Sequence, residues 1–354
     1  MFPFHSFTDV LRAVAKGGQY PILLPHVELV QAAGGLRTPD MVGGAVHHAS
    51  PSLLAGLSLC DGTRTLRQIC RTAGISGIEL ISLRRQGLLI FWPSPLGQMA
   101  QDVDGGAIEF IISPHPDDAA LSAAAILAGA GRKTVGSVSR IVLMDCFTRA
   151  AWWRLPRVAA PSEIQRFRAA EESLLARLCG VALMELGLPE ALLRGQTIQS
   201  VTTAEPSAAD EMVRTEIEAT ITSHAAKCDL WQCRWHLPLG VGNHLDHRIV
   251  RDASLAALRR LGVGEGTISF YEELPYTADA GGQVEPQLAA LRTFGFNGGQ
   301  PLVLHDRKIS ASLKWDMLRI YWTQLTKSQI RQVVDYRCRR RRAVERYWEM
   351  PAPL

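Results

Sequence analysis

Residues 113–118, SPHPDD, bring His115, Asp117 and Asp118 together, and residues 242–247, GNHLDH, add His244, Asp246 and His247. Two adjacent carboxylates repel each other unless a proton or a cation compensates them. A metal ion is the simplest compensation, and the imidazoles supply further ligands. His244 and His247 are three positions apart, so at a helix start both rings can turn to one side. If one sheet carries both motifs, His115, Asp118 and His247 can converge on a single ion. Two histidines and a carboxylate with an open position form a catalytic rather than a structural zinc pattern, and the same set suits iron(II). An HxxH pair alone carries little weight, since surface helices hold such pairs by chance. The two motifs together, each after a strand, carry the reading.

The elements that must position these residues are legible on either side of them. Ile108, Phe110, Ile111 and Ile112 form the apolar run of a buried strand, and Ala119 to Ala130 reads as a helix. Cys228 to Trp235 reads as a short strand, and the chain from His247 onward as a helix. SRIVLMDCF predicts another buried strand, whose end, Asp145 to Arg149, faces the same site. Residues 162–179 form an amphipathic helix with Ser162 as its cap, and 207–225 form another. TISFYEELPYT supplies a further strand, with Glu272, Glu273 and Tyr276 near its end. This alternation predicts an α/β fold with a mostly parallel, Rossmann-like sheet and helices on both faces. In such folds ligands sit beyond the carboxyl ends of the strands, where both motifs fall.

The 354 residues, 47% hydrophobic, are enough for two domains with real cores. A net charge of +4 does not call for nucleic acid. Seven dispersed cysteines without a CxxC pair predict reduced thiols in a cytoplasm. The start lacks the charged and apolar regions of a signal peptide, and no run approaches the roughly 20 apolar residues of a membrane span. VELVQAA, within the first fifty residues, fits a strand or a short helix. Residues 51–93 then read as three helices and a strand, with Thr65 as a cap and Gly74 and Gly87 as stops. That order predicts a small N-terminal winged-helix-like domain over 1–93. A linker at 94–106, a catalytic domain at 107–330 and a basic C-terminal helix at 331–354 follow. The basic block of that helix is Arg337 and Arg339 to Arg342; it reads as a solvated face or as a contact for an acidic partner, nucleic acid or lipid. Trp152 and Trp153, in an irregular loop at 148–162, read as a lid over a substrate or as a patch anchored on the core. His236 and His305 have no assigned role.

SPHPDD, GNHLDH and FYEELPY at 270–276, with RAAEESLLARLCG and KWDMLRIYWTQL as weaker matches, resemble the PIG-L (LmbE-like) zinc-dependent N-deacetylases over about 106–330. The resemblance implies that His115, Asp118 and His247 bind one zinc ion and that Asp117 is the general base activating water. It also implies that His244 stabilises the oxyanion or protonates the leaving amine. Ala119 departs from the family, whose members often carry Glu there. The chemistry agrees with the residue types: zinc lowers the pKa of water to about 7, Asp117 can act as the base, and zinc and a protonated His244 can share the oxyanion charge. Asp246 reads either as a partner orienting a ligand ring or as an acid at a helix N-terminus. Arg168 reads as a substrate contact or as an ion pair with Glu171 or Glu172. Glu272 or Glu273, and Tyr276, read as supporting or substrate-binding groups.

LCDGTRTLRQI and RRQGLLIF resemble the PqqD-like fold, small domains that bind a precursor peptide's leader by strand addition. The expected activity is zinc-dependent hydrolysis of an N-acyl, chiefly N-acetyl, amide on an amino sugar or small conjugate in a specialised biosynthetic pathway. The alternatives are a leader-guided hydrolase tailoring a ribosomal peptide and a non-catalytic scaffold that binds peptide. The expected partners are a small N-acyl substrate and, at the N-terminal domain, a leader peptide or a second copy of the chain.

Overall fold

Capping residues and glycines set the bounds of the N-terminal elements. The computed structural model describes residues 19–38, 46–96, 107–129, 140–155, 160–228, 232–280, 284–293 and 301–351. Strand β1 (Tyr20–Leu23) is followed by β2 (Glu28–Val30), a 3-10 turn (Gln31–Ala33), β3 (Gly35–Arg37) and β4 (His47–His48). VELVQAA is thus a strand and then a 3-10 turn. Helix α1 (Pro51–Ser58) begins where Ser50 Oγ accepts from Leu53 N. Helices α2 (Leu66–Ala73) and α3 (Gly77–Gln86) each begin at a capping box, Thr65 with Gln68 and Ser76 with Glu79. Each box satisfies two N–H groups that a first turn leaves unpaired. Gly74 and Gly87 end these helices in the left-handed conformation. Strand β5 (Leu89–Trp92) then pairs antiparallel with β1. Most of the predicted linker, 97–106, lies outside the described residues.

The second part begins with β6 (Ile108–Ser113), helices α4 (Asp118–Ser122) and α5 (Ala124–Leu127), β7 (Arg140–Asp145), α6 (Pro161–Cys179) and β8 (Ala182–Glu185). It continues through α7 (Ala208–Ala225), β9 (Cys233–Pro238), α8 (Leu245–Arg260), β10 (Ile268–Tyr271), α9 (Tyr276–Ala280) and α10 (Val284–Thr293). It ends with β11 (Val303–Ser310), α11 (Ala311–Leu318), α12 (Lys327–Asp335) and β12 (Arg342–Glu349). Seven strands form one sheet in the order β11-β12-β10-β9-β6-β7-β8. The five from β10 to β8 are parallel, and β12 and β11 add an antiparallel edge. Alternate side chains of β6 enter opposite cores: Ile111 packs with residues of α4 to α6, and Phe110 and Ile112 with residues of α7 and α8. The predicted mostly parallel sheet with helices on both faces is therefore what forms. All seven cysteines are free thiols, and no helix of the described residues is long and apolar enough to cross a membrane.

Three local expectations are corrected. The helix predicted from Ala119 to Ala130 is two short pieces, broken at Ala123, whose φ of −126° is not helical. A buried ion pair spans the break. Lys314 Nζ donates to Leu121 O (2.8 Å) and to Glu345 Oε1 (2.6 Å), while the Glu345 carboxylate accepts from the N–H groups of Ala124 and Ala125. Replacing Lys314 with Ala leaves the Glu345 charge buried and unpaired, and unfolding in denaturant is expected to show a loss of about 3–5 kcal/mol. Ser162 is not a cap: α6 starts at Pro161, which has no N–H to lose, after Ala160.

The C-terminal helix predicted for 331–354 ends at Asp335. Arg337, Arg340 and Arg341 take positive φ values of 54°, 50° and 64°, and the chain reverses into β12 between β10 and β11. Ala343, Val344 and Tyr347 are buried there. Pairing on both sides decides a segment whose charges suggest a helical face. The arginine block is a turn, and Arg337 is bound to Glu272.

Candidate metal centre and its cavity

Strand β6 lies between β9 and β7, where the strand order reverses, and such a reversal opens a crevice at the carboxyl ends of the strands. SPHPDD leaves β6 there, GNHLDH leaves β9 and EELPY leaves β10. The first turn is tight. Ser113 Oγ donates to His115 O (2.8 Å), and His115 N donates to Asp118 Oδ2 (3.0 Å). Asp117 sits at φ 106° and ψ −32°, a region costly for a residue with a side chain. Its carboxylate makes no cap bond to α4, so it stays available to the cavity. In the second turn Gly242 has φ 84°, and a Cβ there would come within 2.6 Å of the Tyr276 ring. Only glycine allows that approach.

The ligand atoms of His115, Asp118 and His247 lie within 4.8 Å of one another. Asp118 Oδ2 is 3.2 Å from His115 Nδ1 and 3.3 Å from His247 Nε2. Each ring has its other nitrogen on a second buried carboxylate. His115 Nε2 is 2.8 Å from Asp246 Oδ2, and His247 Nδ1 is 3.3 Å from Glu273 Oε1. A neutral imidazole bonded to an outer carboxylate carries its proton on that side, which leaves a lone pair pointing at Asp118. Two lone pairs and a carboxylate then face one another, and such a donor set fits a cation. Where no cation is bound, a proton on His115 compensates the carboxylates in its place. Burial pulls His115 down, but bonds to Asp118 and Asp246 outweigh it and raise the ring to about 10. Burial likewise opposes ionisation of Asp118, yet His247 and His115 hold it down at about 2.

A second grouping, His115 with His244 and Asp246, also clusters, but its members are already bonded elsewhere. Asp246 Oδ2 accepts from Ala191 N (3.0 Å) and Oδ1 from Arg194 Nη2 (2.6 Å). Asp246 is thus the orienting partner of the His115 ring. His244 caps α8, its Nδ1 accepting from Asp246 N at 3.2 Å, so its proton is on Nε2. Burial and the neighbouring His247 and His115 depress it to about 3. The protonated His244 expected from the sequence is replaced by a neutral N–H donor.

The cavity over this set has a volume of about 410 Å³. Asp117, Arg168, His244, Tyr276 and Trp152 are among the residues lining it. Burial and the Asp118 charge raise Asp117 well above the usual carboxylate range, against Arg168 and His115. Arg168 makes neither predicted helix ion pair: its Nη2 donates to Trp152 O (2.9 Å) and its Nη1 is 3.7 Å from Glu190. Glu190 in turn accepts from Ala151 N and Trp152 N, so the tryptophan loop is pinned beside the cavity. Glu171 binds Thr323 and Gln324, and Glu172 binds Tyr321. Asp145 is buried and does not line the cavity; burial and Glu185 raise its pKa well above the usual range. Ala119 is buried in the core, so the departure at this position is a packing feature.

Of the two acids after β10, Glu272 is turned away from the cavity. It accepts from Arg337 Nη1 (2.5 Å) and Trp348 Nε1 (3.0 Å), tying β12 to the sheet. Glu273 is the supporting carboxylate. It is fully buried, accepts from Gly240 N and Val241 N, and faces His247. A Glu273→Gln variant is expected to bind zinc about 10–100-fold more weakly in competition with a chelator, since the charge that orients the ring is lost. Arg194, Glu190 and Ala191 carry no motif of their own. His236 bonds Ser269 and Glu109 within the sheet and is a packing histidine.

No family model matches the chain. Over 170 residues, 47% of its length, it is 36% identical to 2'-N-acetylparomamine deacetylase of Streptomyces fradiae, and the match spans 56% of that protein, about half the length of this curated relative. Among solved structures it is similar to a deacetylase of the teicoplanin biosynthesis pathway, with 22% identity, a TM-score of 0.52, and coverage of 70% of this chain and 98% of that one. A zinc-inhibited form of teicoplanin deacetylase is similar at 20% identity and a TM-score of 0.50, again covering 70% and 98%. These two likenesses establish a shared α/β fold.

Proposed function

We propose that the chain is a PIG-L-like deacetylase that removes an N-acetyl group from an amino sugar in a specialised biosynthetic pathway, with one zinc ion held by His115, Asp118 and His247. The observation that carries the reading is the set of three converging ligand atoms, with a buried carboxylate behind each histidine and Asp117 beside them. The 36% identity to 2'-N-acetylparomamine deacetylase supports the substrate class. Iron(II) suits the same ligands.

When bound, zinc supplies polarisation of the amide carbonyl, a lowered water pKa and a positive charge that favours ionised Asp117. Asp117 takes a proton from the attacking water and delivers it to the leaving nitrogen. The C–N bond breaks, water oxygen ends on acetate and the sugar keeps the amine. His244 donates its Nε2–H to the oxygen on which charge develops. Arg168 steadies the charge of Asp117, and Trp152 and Tyr276 offer aromatic surface to a sugar ring.

Acetate release from 2'-N-acetylparomamine and from N-acetylglucosamine conjugates tests the proposal on zinc-loaded protein. One acetate per free amine is the expected result. No product across an N-acyl panel would favour the binding scaffold. A PqqD-like role for the N-terminal unit is the second reading. It is favoured by the outer edge of β5, which pairs only with β1 among the described residues, whereas the other edge of β1 is taken by residues 60–62. Under that reading a leader peptide joined to the substrate accelerates hydrolysis, and a separate leader competes.

A further inference from the structure

A second cavity, of about 350 Å³, adjoins the first, and Leu325 lines both. Arg154, Arg319, Lys327 and Ser328 line it with Trp322 and Ile330, and no carboxylate does so among the described residues. Arg154 is committed, its Nε and Nη2 donating to Trp322 O (3.1 and 2.5 Å). Arg319 is not. It is only 6% exposed, and its Nη2 is buried with no hydrogen-bond partner. Asp316, the acid whose field reaches Arg319, has both carboxylate oxygens on Arg84 Nη2, at 2.7 and 2.8 Å. Lys327 and Ser328 open α12, so the positive end of a nine-residue helix is added to the two free cations.

The N-terminal unit closes the back of this cavity. A Cβ at Gly87 would come within 2.8 Å of the Trp322 ring and 2.9 Å of Arg319 Nη2, so glycine lets the end of α3 seat directly on both. The His26 ring stacks on Trp322 with centroids 4.8 Å apart. The Arg84–Asp316 pair fixes the same contact. Docking of the N-terminal unit therefore holds the unsatisfied guanidinium in place.

We propose that this cavity binds a phosphate group carried on a small organic molecule. The Arg319 guanidinium comes from the end of α11, while the Lys327 ammonium, the Ser328 hydroxyl and the helix N-terminus meet it from the start of α12, and two cations with donors on two sides suit a phosphate better than a singly charged planar carboxylate. Trp322, Leu325 and Ile330 provide an apolar wall for the organic part. The site goes beyond the proposed deacetylation and stands without it.

Isothermal titration of the full chain with inorganic phosphate, at ionic strength held constant with chloride, tests the site. Saturable binding is expected in the parent and, unchanged, in Asp118→Ala, which separates this cavity from anion capture at the metal. Arg319→Gln is expected to weaken binding by about tenfold or more, with partial recovery in Arg319→Lys. Lys327→Gln, at an exposed position that the fold does not depend on, is expected to weaken it several-fold. Absence of saturable binding, unchanged affinity in both Gln variants, or loss of binding in Asp118→Ala would each overturn the proposal. Glucosamine 6-phosphate distinguishes two sources of the phosphate. If the phosphate belongs to the substrate, this probe binds more tightly than inorganic phosphate and loses the excess in Asp118→Ala. If it belongs to a separate ligand, the excess persists in that variant or is absent.

Discussion

Asp117→Asn is expected to lower turnover of an N-acetyl amino sugar by about 10²–10⁴-fold with the zinc content unchanged. The substitution removes the proton-accepting oxygen and keeps the shape. Asp117 lies outside the converging ligand set, and its side chain makes no cap bond that the change would break. Asn also tolerates positive φ about as well as Asp, so the strained turn has no new reason to relax. Kinetics and metal analysis on one preparation check the result. Loss of zinc together with activity would make Asp117 a ligand, and unchanged turnover would remove it as the base. The scaffold reading predicts no turnover in the parent, and so nothing for Asn to reduce.

The part of the site that the sequence shows is the part held in short segments. His115 and Asp118 share one turn, His244 and His247 another, and each turn follows a strand whose apolar run is easy to read. Asp246 and the pair Glu272 and Glu273 are legible there as candidates, but the contacts that fix their roles escape that reading because they arrive from distant segments. Asp246 is held by Ala191 and Arg194, and His247 faces Glu273 rather than a residue of its own helix. Glu272 and Glu273 are neighbours of one type, and alternation along the chain after β10 sends one to Arg337 and the other to His247. Composition cannot tell which. The same limit explains β12: its arginines suggest an exposed helix, whereas burial of Ala343, Val344 and Tyr347 against two partner strands makes it part of the sheet. The break at Ala123 depends on Lys314 and Glu345, about two hundred residues away, so no local propensity announces it.

Asp118→Ala is expected to take the bound metal from about one ion per chain to almost none after purification without added metal. Asp118 supplies the only carboxylate in the set of three and the oxygen that both histidines face. Its loss leaves two neutral nitrogens, and His115 remains free to take its proton from the Asp246 side. The folded chain should survive, because Asp118 opens a five-residue helix whose other members are buried by apolar packing. Melting temperature separates metal loss from misfolding: added zinc should raise it in the parent and leave the variant unmoved, since only a ligand that binds the native state stabilises it. Full retention of metal in Asp118→Ala would move the ion to His115, His244 and Asp246. A parent chain that holds no metal and takes up none would end the metal-dependent reading and leave a protein that binds its ligand without hydrolysing it.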